Sequence, residues 1–371
     1  MKLLLTGTAG ARGWPEPGCP CASCAVTAPA RRPFGLIVDD VVSFPWTGVP
    51  PGYEVSAGGL ALRGPDGHRV LYAPADREPP LDAASPYDVV LIDLLDHPER
   101  LGLLRRIGAV TSRTRVVAVG LDHRVRSPQE LDRRLSLWGA TAVPDGTTLR
   151  PGTPPSLRPG TPPSNASRAR TSHGTPPDVI PYTLTLPDEM VLDAGPGASP
   201  PRRTLILGGS RSGKSAEAEL RLAAEPYVTY VATGPAAEGD AEWAARVRAH
   251  RERRPAHWDT RETTDLAGTI RTATTPLLID GLGTWLAAVF DEHHAWDGDR
   301  GPVDQRCGEL VNAWRQARGR VVAVSDEVGM SVVPATASGR AFRDALGRLN
   351  ERLAAESEDV TLVVAGRPLP L

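Results

Sequence analysis

Gly208 is followed by Gly209, Ser210, Arg211 and Ser212, and then by Gly213-Lys214-Ser215, within the stretch TLILGGSRSGKSAEAE. Residues of these types at this spacing bind phosphate. Glycines let the backbone turn so that successive N–H groups point at phosphate oxygens. A helix starting at the lysine adds the positive end of its dipole. In such chemistry Lys214 reaches the β- and γ-phosphates, and the Ser215 hydroxyl holds Mg²⁺. The choice of lysine is itself informative. Only Lys2 and Lys214 are lysines in a chain with 42 basic residues, and a planar guanidinium is too broad for a cradle that needs a compact ammonium. The alternative is a glycine- and serine-rich turn that matches by chance. The apolar run Leu205-Ile206-Leu207 before it and the helix-forming run from Ala216 after it argue against that.

Two further groups suit the same chemistry. PLLIDGL ends an apolar strand in Asp280. A carboxylate at a strand end beside a phosphate loop can fix the Mg²⁺ that Ser215 also touches; otherwise it caps the next turn. His250 follows Arg246 by four residues on a charged helix closed by Pro255. Alone, it would read as a surface histidine. Near a phosphate loop, however, a neutral imidazole is a competent covalent acceptor for phosphorus. A polar stripe, Arg340, Arg343, Gly347 and Asn350, recurs at helical spacing. It reads either as a solvated face or as contacts to nucleotide phosphates or a neighbouring subunit.

A separate cluster lies near the start of the chain: Cys19-x-Cys21-x-x-Cys24, after a glycine turn. Three thiolates this close are a metal-ligand arrangement lacking a fourth donor, and His123, just after the apolar run VVAVGL, is the best candidate for it. Structural Zn²⁺ is the metal expected. The bland alternative is three unrelated cysteines near a turn.

The elements that must position these groups fall into three stretches of a 371-residue chain. Residues 1–148 carry strand signals (KLLLT, GLIVDDVVSF, LALRG, HRVLYAP, YDVVLIDL, RVVAVGL), a hairpin signal at Asp66-Gly67 and short helices near 98–107 and 127–138. Residues 149–200 are rich in Pro, Gly, Ser and Thr, with RPGTPPS at 150–156 and again at 158–164, and read as a linker. Residues 201–371 alternate five apolar strands with helices, one of them at about 240–252. That pattern predicts an α/β fold with a mainly parallel sheet and a ligand site at its C-terminal edge.

Composition narrows the function classes. A net charge of −2 offers no basic surplus for nucleic acid. No apolar run reaches membrane-spanning length, so no transmembrane segment is expected. The opening MKLLLTGTAG is too short for a signal-peptide core and reads as a strand. Four cysteines, three of them clustered, do not make a disulfide framework. A soluble, cytoplasmic protein is the expectation.

With these residues in view, 201–371 resembles the bifunctional adenosylcobinamide kinase/adenosylcobinamide-phosphate guanylyltransferases. The resemblance rests on GGSRSGKSAEAE, YVAT, the R-x-x-x-H…RP-x-x-W-x-T-x-E run, LLIDGLGTWL, VSDEVG…VP and R-x-FRD-x-x-GRLN. It implies a RecA-like P-loop domain that phosphorylates adenosylcobinamide with ATP or GTP. The domain would then take GTP, form a guanylyl-histidine at His250, and pass GMP on to give adenosylcobinamide-GDP. It implies Glu262 as a nucleotide contact and a homo-oligomer, a trimer in the best-known type. The chain departs from the usual family pattern at Gly281, Gly283, Ala287, Ala288 and Asp326, the last standing where the family usually has Asn. A nucleotide-binding regulatory protein, or a kinase without transferase activity, is the alternative.

Residues 1–148 resemble the metallo-β-lactamase fold, in the subgroup opening GTG…GC-x-C-x-x-C, whose structural zinc uses three cysteines and a late histidine. The fold's H-x-H-x-D-H signature is absent. The resemblance therefore implies a truncated α/β domain without hydrolase chemistry, because a hydrolase would need that dinuclear site.

Overall fold

The computed structural model describes residues 1–27, 29–46, 48–79, 85–152, 200–234, 254–330 and 332–371. Most of the 149–200 segment and the helix expected at 240–252, with Arg246 and His250, lie outside the described residues. Met1–Gly152 and Pro201–Leu371 cluster into one compact unit, within which each stretch builds its own sheets and is called here a lobe.

The N-terminal lobe is layered sheet on sheet on helix. Strand β1 (Leu3–Gly7) pairs antiparallel with β2 (Gly35–Val38) and with β9 (Thr147–Leu149), and β2 continues to β3 (Val42–Ser43). The second sheet runs β4 (Glu54–Ser56), β5 (Ala61–Arg63), β6 (Arg69–Ala73), β7 (Val89–Ile92) and β8 (Arg115–Ala118). The expected Asp66-Gly67 hairpin joins β5 to β6, with Gly67 at φ 81°, where a side chain would be strained. From β6 to β8 the pairing is parallel. Strand β7, VVLI, is buried on both faces. Val89 and Leu91 meet Leu3, Leu5 and Leu36 of the first sheet. Val90 and Ile92 meet Leu101 and Leu104 of α2 (Glu99–Arg106), and Leu131, Leu135 and Trp138 of α3 (Pro128–Trp138). A short helix, α1 (Ala22–Val26), carries Cys24. Helix α3 has the sequence marks of a helix at both ends. Ser127 Oγ accepts from the Glu130 N–H, Pro128 opens the first turn, and Gly139 closes it at φ 64°.

The C-terminal lobe is one seven-stranded sheet, ordered β12-β11-β13-β14-β10-β15-β16. Its strands are β10 (Arg203–Gly208), β11 (Thr229–Ala232), β12 (Asp259–Glu262), β13 (Leu277–Asp280), β14 (Val321–Asp326), β15 (Asp359–Val364) and β16 (Arg367–Pro370). Period-two alternation divides the core. Leu205, Leu207, Leu277, Ile279, Val321 and Ala323 face α5 (Leu266–Thr272), α6 (Leu282–Glu292), α7 (Gly301–Arg315) and α8 (Ala337–Ala354). Ile206, Leu278, Val322 and Val324 face Ala218 and Leu222 of α4 (Lys214–Leu222). The five expected strands are present and mutually parallel. Two more flank them. Strand β12, DTRE, is exposed at every residue, so no apolar pattern marked it. Strand β16 turns back antiparallel through Ala365 (φ 50°) and Gly366 (φ 69°). Its Pro368 and Pro370 are tolerated because it is an edge.

Candidate nucleotide site and metal cluster

Strand β10 delivers the loop 208–213 to the C-terminal edge of the sheet, and α4 leaves it at Lys214. Gly208 has no room for a side chain: a Cβ there would lie 2.5 Å from Ser212 Oγ and 2.7 Å from the Val363 carbonyl. Gly213 adopts φ 98°, and a Cβ there would lie 3.2 Å from Gly366 Cα. Arg211 adopts φ 57°. The Ser212 hydroxyl is buried and has no hydrogen-bond partner among the described residues. The Gly366 N–H donates to the Ser212 carbonyl at 2.7 Å, and the Glu327 N–H donates to the Gly208 carbonyl at 3.1 Å. The loop is thereby held from both flanking strands.

The Lys214 ammonium folds back over this loop. It donates to the Gly209 carbonyl at 3.1 Å and pairs with Asp326 Oδ1 at 2.8 Å. Ser215 Oγ donates to Asp280 Oδ1 at 3.1 Å. Two cis ligands on an octahedron with Mg²⁺–oxygen bonds of 2.0–2.1 Å stand about 3 Å apart, so this hydroxyl and carboxylate fit that ion. The other Asp280 oxygen accepts from the Tyr230 hydroxyl at 2.6 Å. Burial, followed by the Asp280 carboxylate, pushes the Tyr230 phenol well above its ordinary range. It therefore stays a neutral donor at working pH and turns Oδ1 towards Ser215. The Arg254 guanidinium lies 3.6 Å over the Tyr230 ring. The Thr233 hydroxyl donates to the Gly281 carbonyl at 2.8 Å, fixing the turn after Asp280.

Sequence reasoning placed Lys214, Ser215 and Asp280 together, and the structure brings them together. Glu262 is at the same edge but further out. It pairs in register with Ala232, which also pairs with Asp280 on its other side, so about 10 Å of sheet separates the backbones of the two residues. The polar stripe on α8 separates by role. Asn350 is buried, accepts from the Ser325 hydroxyl at 2.6 Å and donates to the Asp326 carbonyl at 3.0 Å, tethering the end of β14. Arg340 donates to the Pro334 and Ala335 carbonyls, and Arg343 lies 3.7 Å from Asp344. Tyr230 and Thr233 were not foreseen, because within YVTYVAT they look like ordinary strand residues.

The expected Cys/His cluster assembles. The ligand atoms of Cys19, Cys21, Cys24 and His123 all lie within 4.8 Å of one another. His123 Nδ1 is 3.5 Å from Cys19 Sγ and 3.6 Å from Cys24 Sγ. Three sulfurs and one imidazole nitrogen at this spread suit a tetrahedral Zn²⁺. The Cys24 backbone N–H, donating to Cys21 Sγ at 3.4 Å, draws the Cys21 thiol down, while burial pushes Cys24 up to about 11.

Nearby, a cavity of about 620 Å³ opens at the parallel edge of β6–β8. Phe34, Phe44, Tyr72, Asp76, Asp93 and Arg124 are among its lining residues. Arg124 donates to Asp93 at 2.8 Å, to Asp96 at 2.9 Å and to Asp122 at 2.8 Å. His68 and His97 are elsewhere, paired with Asp88 and Glu99. No helix among the described residues is long and apolar enough to cross a membrane.

A loop, lysine, hydroxyl and strand-end carboxylate in this arrangement define a P-loop nucleotide site on a mainly parallel α/β sheet. Residues 204–371 match the family described as cobinamide kinase / cobinamide phosphate guanyltransferase. The chain is similar to the bifunctional adenosylcobalamin biosynthesis protein CobP of Pseudomonas aeruginosa, with 44% identity over 177 residues, 46% of this chain and 96% of that protein. The protein of the same description, CobU, from Salmonella typhimurium is 36% identical over 174 residues, 44% of this chain and 95% of that one. The chain belongs to this family. Among solved structures, the P4 protein of bacteriophage phi6 in complex with ADP is similar at 15% identity and a TM-score of 0.25, over 45% of this chain and about half (52%) of that one.

Proposed function

We propose that the chain carries out both reactions of its family: phosphorylation of adenosylcobinamide by ATP or GTP, then transfer of GMP from GTP through a guanylyl-histidine at His250. The observation that carries this reading is the Ser215–Asp280 pair at 3.1 Å beside Lys214, in a stretch that matches the family along its length. Ser215 and Asp280 would hold Mg²⁺, which would supply positive charge against that developing on the transferring phosphate. Tyr230 orients Asp280 for that role. Lys214 would exchange its contact with Asp326 for a phosphate oxygen. The loop N–H groups and the Ser212 hydroxyl would take the remaining oxygens. Gly209–Ser212 and Glu262 are read as the other nucleotide contacts. In the second reaction the His250 imidazole nitrogen attacks the α-phosphorus, the bond to pyrophosphate breaks, and the acceptor phosphate later displaces the histidine. A kinase-only or nucleotide-sensing protein is a second reading, favoured by one observation: Lys214 is paired with Asp326, one of the positions at which the chain departs from the usual family pattern.

Residues 1–148 are read as a shortened metallo-β-lactamase-like domain without hydrolase chemistry, with Cys19, Cys21, Cys24 and His123 holding a structural zinc. Residues 149–200 are read as the linker and 201–371 as the catalytic domain of a cytoplasmic homo-oligomer. The exposed Met330, Val332 and Val333 are consistent with a contact between copies.

Incubation with [α-³²P]GTP and Mg²⁺ tests the transferase. Acid-labile label on the intact protein, lost in His250→Ala, is the expected result. Tight GTP binding with no label on either protein would leave the kinase or sensor reading.

A further inference from the structure

Helix α4 has two sides. Ala218 and Leu222 face its own sheet, whereas Leu220 and the following Ala224 join the core of the N-terminal lobe. Polar contacts run along the same seam. Arg133 of α3 forms a two-pronged bond with Glu217, Nη1 to Oε1 at 2.8 Å and Nη2 to Oε2 at 3.0 Å. Glu217 sits in the first turn of α4, three residues after Lys214. At the other end, the last carbonyls of a helix need donors from outside it. The Trp138 indole N–H donates to the Leu220 carbonyl at 2.8 Å. Arg105 Nη1 donates to the Ala224 carbonyl at 2.8 Å, a cation at the negative end of the helix dipole. The N-terminal lobe therefore grips both ends of the helix that carries Lys214 and Ser215.

It reaches the loop as well. The Gly366 turn forms one wall of the cradle: its N–H holds the Ser212 carbonyl at 2.7 Å, and Gly213 packs against it. The carbonyl of Gly366 accepts from Arg126 Nη1 at 2.8 Å. Arg126 immediately precedes Ser127, the N-cap of α3. One run, 126–138, thus touches the loop wall, the first turn of α4 and its last turn.

We infer that Arg126 is a positioning residue for the phosphate cradle, through which the N-terminal lobe sets the affinity of the C-terminal lobe for nucleoside triphosphate. The inference rests on the nucleotide-binding reading above. Arg126 is bonded to the Gly366 carbonyl. It acts through Gly366 on the Ser212 carbonyl and so on the direction of the loop N–H groups. A guanidinium bonded to a carbonyl on an exposed hairpin tip adds little to global stability but restricts that tip's motion.

The test uses the full chain with Arg126→Ala and Arg126→Lys. GTP affinity is measured by calorimetry, the KM values for GTP and adenosylcobinamide by steady-state kinetics, and the unfolding midpoint without nucleotide by thermal melting. Arg126→Ala is expected to raise the Kd and KM for GTP by about five- to tenfold, of the order of one hydrogen bond. The KM for adenosylcobinamide and the unfolding midpoint should stay at wild-type values. Arg126→Lys, which keeps a donor, should recover part of the loss. GTP affinity unchanged in Arg126→Ala overturns the inference and leaves the nucleotide reading intact. A rise in both KM values together with a lowered midpoint also overturns it, by showing a merely structural role. Failure of the wild-type chain to bind GTP overturns both.

Discussion

The two parallel sheet edges of this molecule occupy equivalent places in their lobes and have opposite electrostatic designs. At the ends of β10 and β14, Lys214 and the loop beside it keep capacity for a ligand. Among the described residues Lys214 bonds a carbonyl and a partly exposed Asp326, and Ser212 Oγ is buried without a partner. At the ends of β7 and β8, a single guanidinium spends its donors internally, on Asp93, Asp96, Asp122 and the Gly120 carbonyl. Parallel topology offers a crevice at both edges. Whether a crevice becomes a binding site depends on whether its charges already have partners. The residue types match that division. Arginine's planar fork serves several carboxylates at once, and lysine's single ammonium stays available for exchange.

Substitutions at the two edges should have different effects. Lys214→Ala should lower kcat/KM for the kinase step by about 10³-fold, since in the proposed mechanism it removes the cation that meets transferring phosphate; steady-state kinetics on a variant of wild-type melting temperature checks this. Arg124→Ala should cost about 3 kcal/mol in a denaturant titration, because it leaves the buried Asp93 carboxylate without its cation. Arg124→Lys should recover little, since one ammonium cannot serve three carboxylates. Tyr230→Phe should weaken Mg²⁺ activation by about fivefold, the worth of one hydrogen bond to a charged oxygen. Asp326→Asn sharpens the contrast in the other direction. Removing the competing carboxylate should tighten GTP binding about threefold, a small gain because Asp326 is 42% exposed.

The smallest effect concerns pH. Arg203, bonded to Glu358 at 2.6 Å, holds that carboxyl below the usual glutamate range. The unfolded chain takes up the proton first, so this contribution is complete above the ordinary glutamate range and is lost as pH falls through the folded value. With Glu358 40% exposed, it amounts to a few tenths of a kcal/mol. Arg203→Ala should flatten the acid limb of a stability–pH curve by no more than that.

The cradle was legible because phosphate binding needs contiguous residues: Gly208 to Ser215 lie in one run, and the strand and helix flanking them follow from apolar pattern. Asp280 was legible from its place at a strand end. The Cys/His cluster came from spacing plus one distant histidine. Tyr230 and Thr233 were not legible, because each acts on partners tens of residues away; Arg124 was not, because beside its near neighbours Asp122 and Gly120 it gathers Asp96 and Asp93, 28 and 31 residues distant. Strands β12 and β16 escaped for a different reason: polar or proline-bearing edges carry no burial signal. Helix α3 was read correctly from Leu131, Leu135 and Trp138, yet the outward reach of Arg133 and the Trp138 indole to another lobe has no trace in periodicity. His250 lies outside the described residues.

The scarcity of lysine gives this chain an unusual chemical handle. An amine-directed reagent can acylate two side chains, Lys2 and Lys214, together with the N-terminal amine. Lys2 is bonded to Asp40 on the surface, far from any phosphate loop in sequence, and serves as an internal reference. The ratio of modification at the two lysines, read by mass spectrometry, would then follow occupancy of the phosphate loop directly, residue by residue and without a labelled nucleotide.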